Sequence, residues 1–349
     1  MPKQTLAVRQ RSLTDTVVLF ICCFTVFMQV LVALIAGKTD DLVRYAAWYA
    51  MLVYLLAMYM PARGFMRFRG GRETFGFVRI SLPEWIYAFL TGVAMFFVVN
   101  ALNMLLHQFF AAVGLPQALA SMEIPEQKTW HFLSLILLMA IIPSYVEETL
   151  FRGILLNGWK PMGRRRAIWH TALIYALAQL SPAALPSTLL VGLLLGYVAD
   201  RVGSCYASMG IQIGYSVTVL WIIQMSGGTG SEQVIPAFSE VILSCLLYIV
   251  SGAGLIHILI GRLSRSAARR LEDPDEDREE RREQARKQET IELKEIRAML
   301  DKWHTNHPKR GPQKKKTPLR IATTSSIATY VLFITLNLVV VANWFFGWF

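Results

Sequence analysis

Residues 146–152 read Val-Glu-Glu-Thr-Leu-Phe-Arg, and they lie inside an apolar run of nearly thirty residues, 131–159. A run of that length can cross a bilayer, which needs roughly 20 apolar residues. Ionised side chains at membrane depth cost roughly 2.5–3.5 kcal/mol each on insertion scales, so a chain that keeps them pairs them or uses them. On a helix Glu148 and Arg152 stand four residues apart, in the order that favours an ion pair. Glu147 has no such partner on its own helix, and its presence needs another explanation.

The composition is that of an integral membrane protein. Apolar residues make up 54% of the 349 residues, while the formal net charge is +11. Lipid-facing helices joined by basic loops explain both values, and a nucleic-acid-binding protein does not. The apolar stretches predict an all-α polytopic membrane protein with an eight-helix core and a ninth, C-terminal transmembrane helix. The predicted spans are approximately 16–37, 43–60, 85–106, 131–157, 167–181, 185–199, 206–224, 240–260 and 321–349.

The distribution of Lys and Arg predicts the orientation. If the N-terminus is cytoplasmic, the loops on that side hold 31 of the 35 basic residues. The positive-inside rule then predicts a multi-pass protein of the cell membrane with a cytoplasmic N-terminus and an extracytoplasmic C-terminus. The same rule supports the short stretch 185–199 as a crossing, because without it the basic segment 262–320 would lie outside. No small-residue cleavage site follows the first span, which predicts a retained signal anchor.

The sequence divides into three parts. Residues 1–261 form the predicted membrane core, 262–320 a charged cytoplasmic helical insert, and 321–349 the ninth span. Within the insert, residues 308–320 are basic and broken by prolines. Such a cluster beside a span can attract anionic lipid at about 1 kcal/mol per charge. An ordinary basic flank of a cytoplasmic loop explains it equally well.

Three polar side chains on two other spans fall at a depth comparable with that of Glu147. Counted from the cytoplasmic ends of their helices at ~1.5 Å per residue, Glu147 and Gln179 both lie ~18 Å deep. By the same count Gln212 lies ~10 Å deep and Ser216 ~16 Å deep. Each polar residue alone can serve as an interhelical hydrogen bond. Their coincidence with the glutamate pair predicts one shared site.

The glycine, cysteine and histidine positions were also considered as sites of close helix packing or metal binding. Gly192 and Gly196 form a GxxxG pattern, which in membranes favours close helix packing over a functional role. None of the four cysteines belongs to a CxxC pair, so neither a disulfide framework nor a zinc–thiolate site is predicted. The histidines also lack metal-ligand spacing, and we expect no metal and no cofactor. These histidines are His107, His131, His170, His257, His304 and His307.

The first motif resembles that of a known family. Glu147-Glu148-x-x-x-Arg152 is similar to the first motif of the CPBP family, the CAAX-protease and bacteriocin-processing (Abi) membrane proteins, which are intramembrane glutamic-type proteases. The segment Tyr175-Ala-Leu-Ala-Gln179 aligns with the second motif of that family, an aromatic residue followed four positions later by histidine.

Two further segments extend the resemblance to roughly residues 85–225. Gln212-Ile-Gly-Tyr-Ser216 aligns with the third motif, His-x-x-x-Asn, and residues 192–203 resemble the glycine-rich span and turn of the family. The resemblance implies an eight-helix core and a site formed by the motif positions. Those positions are Glu147, Glu148, Arg152, Gln179, Gln212 and Ser216.

The departures from the family pattern leave two functions open. In the active members that the motif resembles, a glutamate and the first histidine activate water, and the second histidine and the asparagine stabilise an oxyanion. Here Gln179 and Gln212 replace both histidines and Ser216 replaces the asparagine. Glutamine cannot act as a base near neutral pH. We therefore favour a catalytically impaired scaffold or regulator of a partner membrane protein or envelope process. The alternative is an active endopeptidase for a peptide substrate, with Glu147 as general base.

Overall fold

In the computed structural model, the described residues are 14, 16–21, 23, 54–68, 71–112, 129–179, 184–225, 238–272 and 331. These residues form helices and short connections, and no strand occurs among them. The predicted fold class, an all-α polytopic membrane protein, is confirmed. Residues 24–37 of the predicted span 16–37 and residues 43–53 of the predicted span 43–60 lie outside the described residues. So do the predicted span 321–349, apart from residue 331, and the insert beyond residue 272.

The helices differ widely in length. In chain order they are α1 (Met60–Phe68, preceded by the π-helical turn Tyr54–Tyr59), α2 (Leu82–Ala112), α3 (129–159), α4 (Arg164–Ala178), α5 (Leu185–Val202), α6 (Cys205–Met225) and α7 (Phe238–Glu272). Helix α3 is composite, and its segments are Thr129–Leu135, Ile136–Ile141, Ile142–Glu148, Thr149–Leu156 and Asn157–Trp159. Short 3-10 turns, Glu73–Phe75 and Lys160–Met162, lie just before α2 and just after α3.

Five of the described helices are long and apolar enough to cross a membrane. They cover Leu82–Phe110, Phe132–Met162, Leu185–Val202, Cys205–Met225 and Ile242–Arg270. Each coincides with a span predicted from the sequence, including the short stretch 185–199. Helix α4, on the predicted span 167–181, has only 15 residues and ends at Ala178. The sequence has a proline at position 182, and helices usually end at or before the residue that precedes a proline. The total of nine spans stays a prediction.

The basic ends of the helices are held together by polar contacts. Arg270, near the end of α7, forms an ion pair with the buried Glu84 at the start of α2, with 3.2 Å between Nε and Oε1. The same guanidinium donates to the carbonyl oxygens of Arg79 and of Val202 at the end of α5. The amide nitrogen of Cys205 at the start of α6 donates to the carbonyl oxygen of Gly76. These contacts fix one end of α2, α5, α6 and α7 at a common level.

Glycines allow the helices around the site to approach closely. A Cβ atom at Gly214 of α6 would lie 2.2 Å from the carbonyl oxygen of Phe89 on α2, so only glycine fits there. A Cβ atom at Gly192 of α5 would lie 3.0 Å from the Cα of Ala172 on α4. The packing interpretation of the GxxxG pattern is therefore confirmed.

Helix α7 continues past the predicted boundary between core and insert. It runs without interruption from Phe238 to Glu272, eleven residues beyond position 261. The first residues assigned to the insert are therefore part of the same helix as the eighth span. The remaining division of the chain into core, insert and C-terminal span stays a prediction.

Candidate functional site

The glutamate pair lies in a short α-helical segment between two wider turns of α3. Segment Ile142–Glu148 is preceded by the π-helical turn Ile136–Ile141 and followed by Thr149–Leu156, which is also π-helical. In a π-helix the hydrogen bonds run from i to i+5, and such turns occur frequently at functional sites. Pro143 lies in the first turn of the α segment and has no N–H group to bond back into the preceding turn. Both glutamates of the segment are buried.

Glu148 and Arg152 form the ion pair that their spacing predicts. Arg152 Nη1 lies 2.6 Å from Glu148 Oε1, and both side chains are 0% exposed. The guanidinium also lies over the ring of Tyr175, 4.4 Å from its centroid, and Nη2 is 3.4 Å from the carbonyl oxygen of Gly192. Arg152 is thus enclosed by an opposite charge, an aromatic face and a backbone acceptor. This geometry is that of a structural pair which links α3 to α4 and α5.

Glu147 has its partner on a different helix. Gln212 of α6 donates a hydrogen bond from Nε2 to Glu147 Oε2 over 2.6 Å, and both side chains are 7% exposed. A hydrogen bond with an ionised partner is shorter and stronger than one between neutral groups. The other side-chain atom, Gln212 Oε1, is buried and has no hydrogen-bond partner among the described residues. One glutamine therefore both fixes the carboxylate and offers an acceptor beside it.

A cavity of about 290 Å³ lies over this pair. Four of the six predicted site residues line it, namely Glu147, Gln179, Gln212 and Ser216. Gln179 is exposed at the end of α4, so the cavity reaches the protein surface there. The other two predicted residues, Glu148 and Arg152, are not among the lining residues and lie behind the cavity, where they pair with each other.

Several of the cavity's polar residues were not among the six predicted site residues, although Tyr175 and Tyr215 lie within the second and third motifs. These are Asn103 of α2, Tyr175 of α4, Ser187 and Thr188 of α5, and Tyr215 of α6. The apolar part of the lining consists of Val99, Met139, Pro143, Ala184 and Val191. A signal for Tyr175 was present, because it stands four residues before Gln179 and therefore on the same face of the helix. The spacing of residues in the sequence did not indicate that Asn103 or Thr188 would line the cavity.

A further polar contact supports the glutamate helix from its other side. Arg72 Nη2 donates to the hydroxyl of Tyr145 over 3.1 Å, and the ring of Tyr145 packs against Tyr59 with centroids 5.3 Å apart. Tyr145 stands two residues before Glu147, which directs it to a different face of α3. The chain before α2 thus helps to fix the rotation of the helix that carries the site.

The described residues include no metal-ligand cluster. Within them, no three His, Cys, Asp or Glu side chains come together in a way that could hold a metal ion. His170 of α4 stacks on Trp159, the last residue of α3, with ring centroids 3.5 Å apart. The prediction that the site uses no metal and no cofactor stays a prediction.

The chemical capacity of the cavity follows from its donors and acceptors. Among the described residues, its lining contains one carboxylate, several neutral amides and hydroxyls, and two tyrosine rings. A carboxylate can accept a proton from water, whereas an amide cannot. Compared with a glutamate–histidine site, the cavity keeps one possible base, and neither glutamine supplies an imidazole.

Comparisons with known proteins agree with the motif analysis. Residues 129–218, which carry Glu147, Gln179, Gln212 and Ser216, match the family model described as type II CAAX prenyl endopeptidase Rce1-like. No curated protein and no solved structure gave a significant match. The resemblance to the CPBP family drawn from the motifs is confirmed, and the matched region includes α3, α4, α5 and most of α6. The chain is therefore a multi-pass, CAAX-protease-like membrane protein with an Rce1-like domain at residues 129–218, and that domain supports membership of the CPBP family.

Proposed function

We propose that this protein is a catalytically impaired member of its family that acts by binding, as a membrane scaffold or regulator of a partner membrane protein or envelope process. The observation that carries the proposal is the hydrogen bond from Gln212 to Glu147. A position that is histidine in the active members' third motif holds an amide, and that amide donates directly to the one carboxylate among the described residues that line the cavity. The residue at this position therefore steadies the glutamate instead of providing an imidazole.

The proposed membrane placement follows from charge. The helix ends that meet near Arg270 carry the basic loops, and the positive-inside rule assigns such loops to the cytoplasm. We therefore propose a cell-membrane protein with a cytoplasmic N-terminus and an extracytoplasmic C-terminus. The basic residues 308–320 would then face the cytoplasmic leaflet and attract anionic lipid.

The second candidate function is a slow intramembrane endopeptidase. Glu147 is retained beside a cavity that reaches the surface, and Gln179 is positioned to hold a water molecule by hydrogen bonds. In this case Glu147 acts as general base and a side-chain amide supports the oxyanion. The missing imidazoles reduce the rate by orders of magnitude, by analogy with about 10²–10³ for the loss of one oxyanion donor.

Complementation of a deletion strain by Glu147→Gln at matched protein level separates the two functions. The substitution keeps shape and hydrogen bonding and removes the base, so a binding protein should complement fully. Glu73→Gln is the matched control, because it is the same chemical change at an exposed position outside the cavity. A stable Glu147→Gln protein that fails to complement, while Glu73→Gln complements, would establish the peptidase instead.

The double substitution Gln179→His with Gln212→His provides a complementary gain-of-function test. It returns both imidazoles to positions that line the cavity with Glu147. If only the imidazoles are missing, the double variant should cleave peptide substrates more rapidly than the unmodified protein, and adding Glu147→Gln should remove the gain.

A further inference from the structure

Several hydrogen-bonding groups of the cavity have no partner within the protein. Asn103, Tyr175, Tyr215 and Ser216 line the cavity, and their side chains form no hydrogen bond with another residue in the described part of the chain. Tyr175 is only 6% exposed, so its hydroxyl lies inside the helix bundle. Each of these side chains can both donate and accept a hydrogen bond. Because a buried polar group without a partner is costly, the cavity favours a ligand that offers several donors and acceptors.

The charges around the cavity favour an uncharged ligand. No Lys, Arg or His is among the described residues that line it, so an anionic group would meet no positive charge there. The guanidinium of Arg152 is paired with Glu148 behind the cavity. The lining carboxylate, that of Glu147, accepts a hydrogen bond from Gln212 and takes part in a further interaction, so it does not require a cation. Hydroxyl groups therefore suit the cavity better than phosphate, carboxylate or ammonium groups do.

The shape of the cavity favours a compact ring over an extended peptide. Its volume of about 290 Å³ is at the lower end for small-molecule sites, which measure roughly 300–1,000 Å³. Its polar groups converge from five helices, α2 to α6. An extended peptide typically binds through its backbone to the edge of a sheet, and the described residues include no strand. A sugar ring carries hydroxyls around its edge and apolar C–H faces, which match the polar tips and apolar faces of Tyr175 and Tyr215.

The position of the cavity mouth indicates that the ligand comes from the membrane. Gln179, at the mouth, directly follows the last residue of α4, and the other end of that helix carries Arg164 and its basic neighbours. The 15 residues of α4 span ~22 Å, whereas the hydrocarbon layer is ~30 Å thick. With Arg164 at one interface, the mouth lies within the hydrocarbon layer of an undeformed bilayer. A ligand anchored by acyl chains reaches this level directly, whereas a ligand from water must first cross part of the layer.

We propose that the cavity binds the uncharged sugar headgroup of a glycolipid, whose acyl chains remain in the surrounding bilayer. This inference rests on the proposed function, because it names the ligand class of a site that binds. Asn103, Tyr175, Tyr215 and Ser216 supply hydrogen bonds to the hydroxyls of the sugar. Glu147 contributes hydrogen bonding and not charge, and a glutamine at that position can also bond to hydroxyls. Binding of the lipid is therefore compatible with full complementation by Glu147→Gln.

Protection of a cysteine in the cavity tests the ligand class. Ala184 lines the cavity without a polar side chain, so Ala184→Cys provides a thiol and leaves every hydrogen-bonding group in place. The full-length variant is placed in phosphatidylcholine nanodiscs that contain either glucosyl diacylglycerol or diacylglycerol with the same acyl chains. At ten times the mole fraction that gives half-protection, the glucosyl lipid should slow labelling by N-ethylmaleimide about tenfold, and diacylglycerol should not.

Two controls and a second measurement accompany this experiment. Met225→Cys, exposed at the end of α6 and outside the cavity lining, should react equally with both lipids. The unmodified protein measures labelling of the native cysteines. Its midpoint of thermal unfolding should rise with the glucosyl lipid and not with diacylglycerol, because only a bound ligand stabilises the folded state. Equal labelling and equal midpoints with the two lipids would overturn the proposal.

Matched variants test whether the named side chains hold the sugar. In the Ala184→Cys protein, Tyr215→Phe removes one hydroxyl and Asn103→Leu one amide, and each should weaken protection by the glucosyl lipid about tenfold. Tyr197→Phe on α5 and Asn100→Leu on α2 make the same changes at exposed positions outside the cavity lining, and they should leave protection unchanged. Protection that survives both cavity variants would contradict the site.

Other headgroups and the glutamate separate this proposal from its alternatives. Stronger protection by phosphatidylglycerol or phosphatidylethanolamine than by the glucosyl lipid would contradict an uncharged headgroup. Equal protection by methyl glucoside in solution would contradict a lipid as the source of the sugar. Adding Glu147→Gln should preserve protection by the glucosyl lipid, and its loss would contradict the proposal. Complementation by Glu147→Gln is scored separately, so failure of the glycolipid site and failure of the binding function are distinguishable.

Discussion

Gln212 and Glu147 are 65 residues apart in the sequence, yet the amide nitrogen of one lies 2.6 Å from the carboxylate of the other inside the helix bundle. This bond joins α6 to α3 at the base of the cavity. A hydrogen bond to a charged group contributes about 1.5–3 kcal/mol to stability. The pair therefore stabilises the packing of two helices in addition to any role in binding.

A double-mutant cycle should reveal this coupling. Gln212→Ala and Glu147→Ala should each lower the midpoint of thermal unfolding in detergent, and the double variant should lose less than the sum of the two, because both single changes remove the same bond. Ser216→Ala, one turn further along α6, serves as the control and should shift the midpoint little. Strict additivity of the two single effects would contradict a bond between these side chains.

The ion pair behind the cavity should be more important for stability than the cavity glutamate. Removing one partner of a buried pair typically costs about 3–5 kcal/mol, because the other charge is left uncompensated. Arg152→Ala should therefore lower yield and unfolding midpoint more than Glu147→Gln does. Arg166→Ala, an exposed arginine of α4, should have almost no effect. Small and equal effects of Arg152→Ala and Glu147→Gln would show that the pair is hydrated or absent.

The contact between α2 and α6 predicts a strong difference between two glycines. A methyl group at Gly214 would lie 2.2 Å from the carbonyl oxygen of Phe89, whereas one at Gly254 on α7 meets nothing within 4 Å. Gly214→Ala should separate the helices and reduce stability. Gly254→Ala should be neutral or stabilising by up to about 1 kcal/mol, since alanine favours a helix over glycine. The thermal midpoints of the two variants in the same detergent check this, and a neutral Gly214→Ala would refute the close contact.

The orientation of the chain predicts where the charged insert is accessible. Gln288→Cys, within the insert, should react with an impermeant maleimide only after permeabilisation, because the basic segment 262–320 is assigned to the cytoplasm. Ser121→Cys, between the predicted spans 85–106 and 131–157, should react in intact cells. Labelling of Gln288→Cys from outside would contradict the nine-span arrangement.

The local features of the site were predictable from the sequence. Glu148 and Arg152 are four residues apart on one helix, so their pairing depends on helical geometry alone, and the structure confirms it. The depth count was sufficient to group Gln179, Gln212 and Ser216 with Glu147, because helices of a membrane bundle run roughly parallel to one another. Depth alone could not predict which of these side chains contact one another, because the rotation of each helix about its axis depends on packing with its neighbours.

The features that sequence reasoning missed depend on such packing. The π-helical turns on both sides of segment 142–148 change the direction of the side chains that follow. No residue pattern in the sequence predicted these turns. The ion pair of Glu84 with Arg270 joins residues 186 positions apart. The local sequence indicates a role for Glu84 only, because Ser81-x-x-Glu84 has the capping-box pattern. Ser81 does donate hydrogen bonds to that carboxylate.

The short length of α4 has a consequence for the surrounding lipid. At 15 residues it spans ~22 Å, against a hydrocarbon layer of ~30 Å, whereas α2 with 31 residues spans ~46 Å. A helix that is too short is accommodated by thinning of the adjacent bilayer, and one that is too long by tilting. Trp169 and Leu173 on the exposed face of α4 would contact that thinned region. The protein thus presents opposite mismatches on two helices, so we expect the bilayer to thin beside α4 and α2 to tilt.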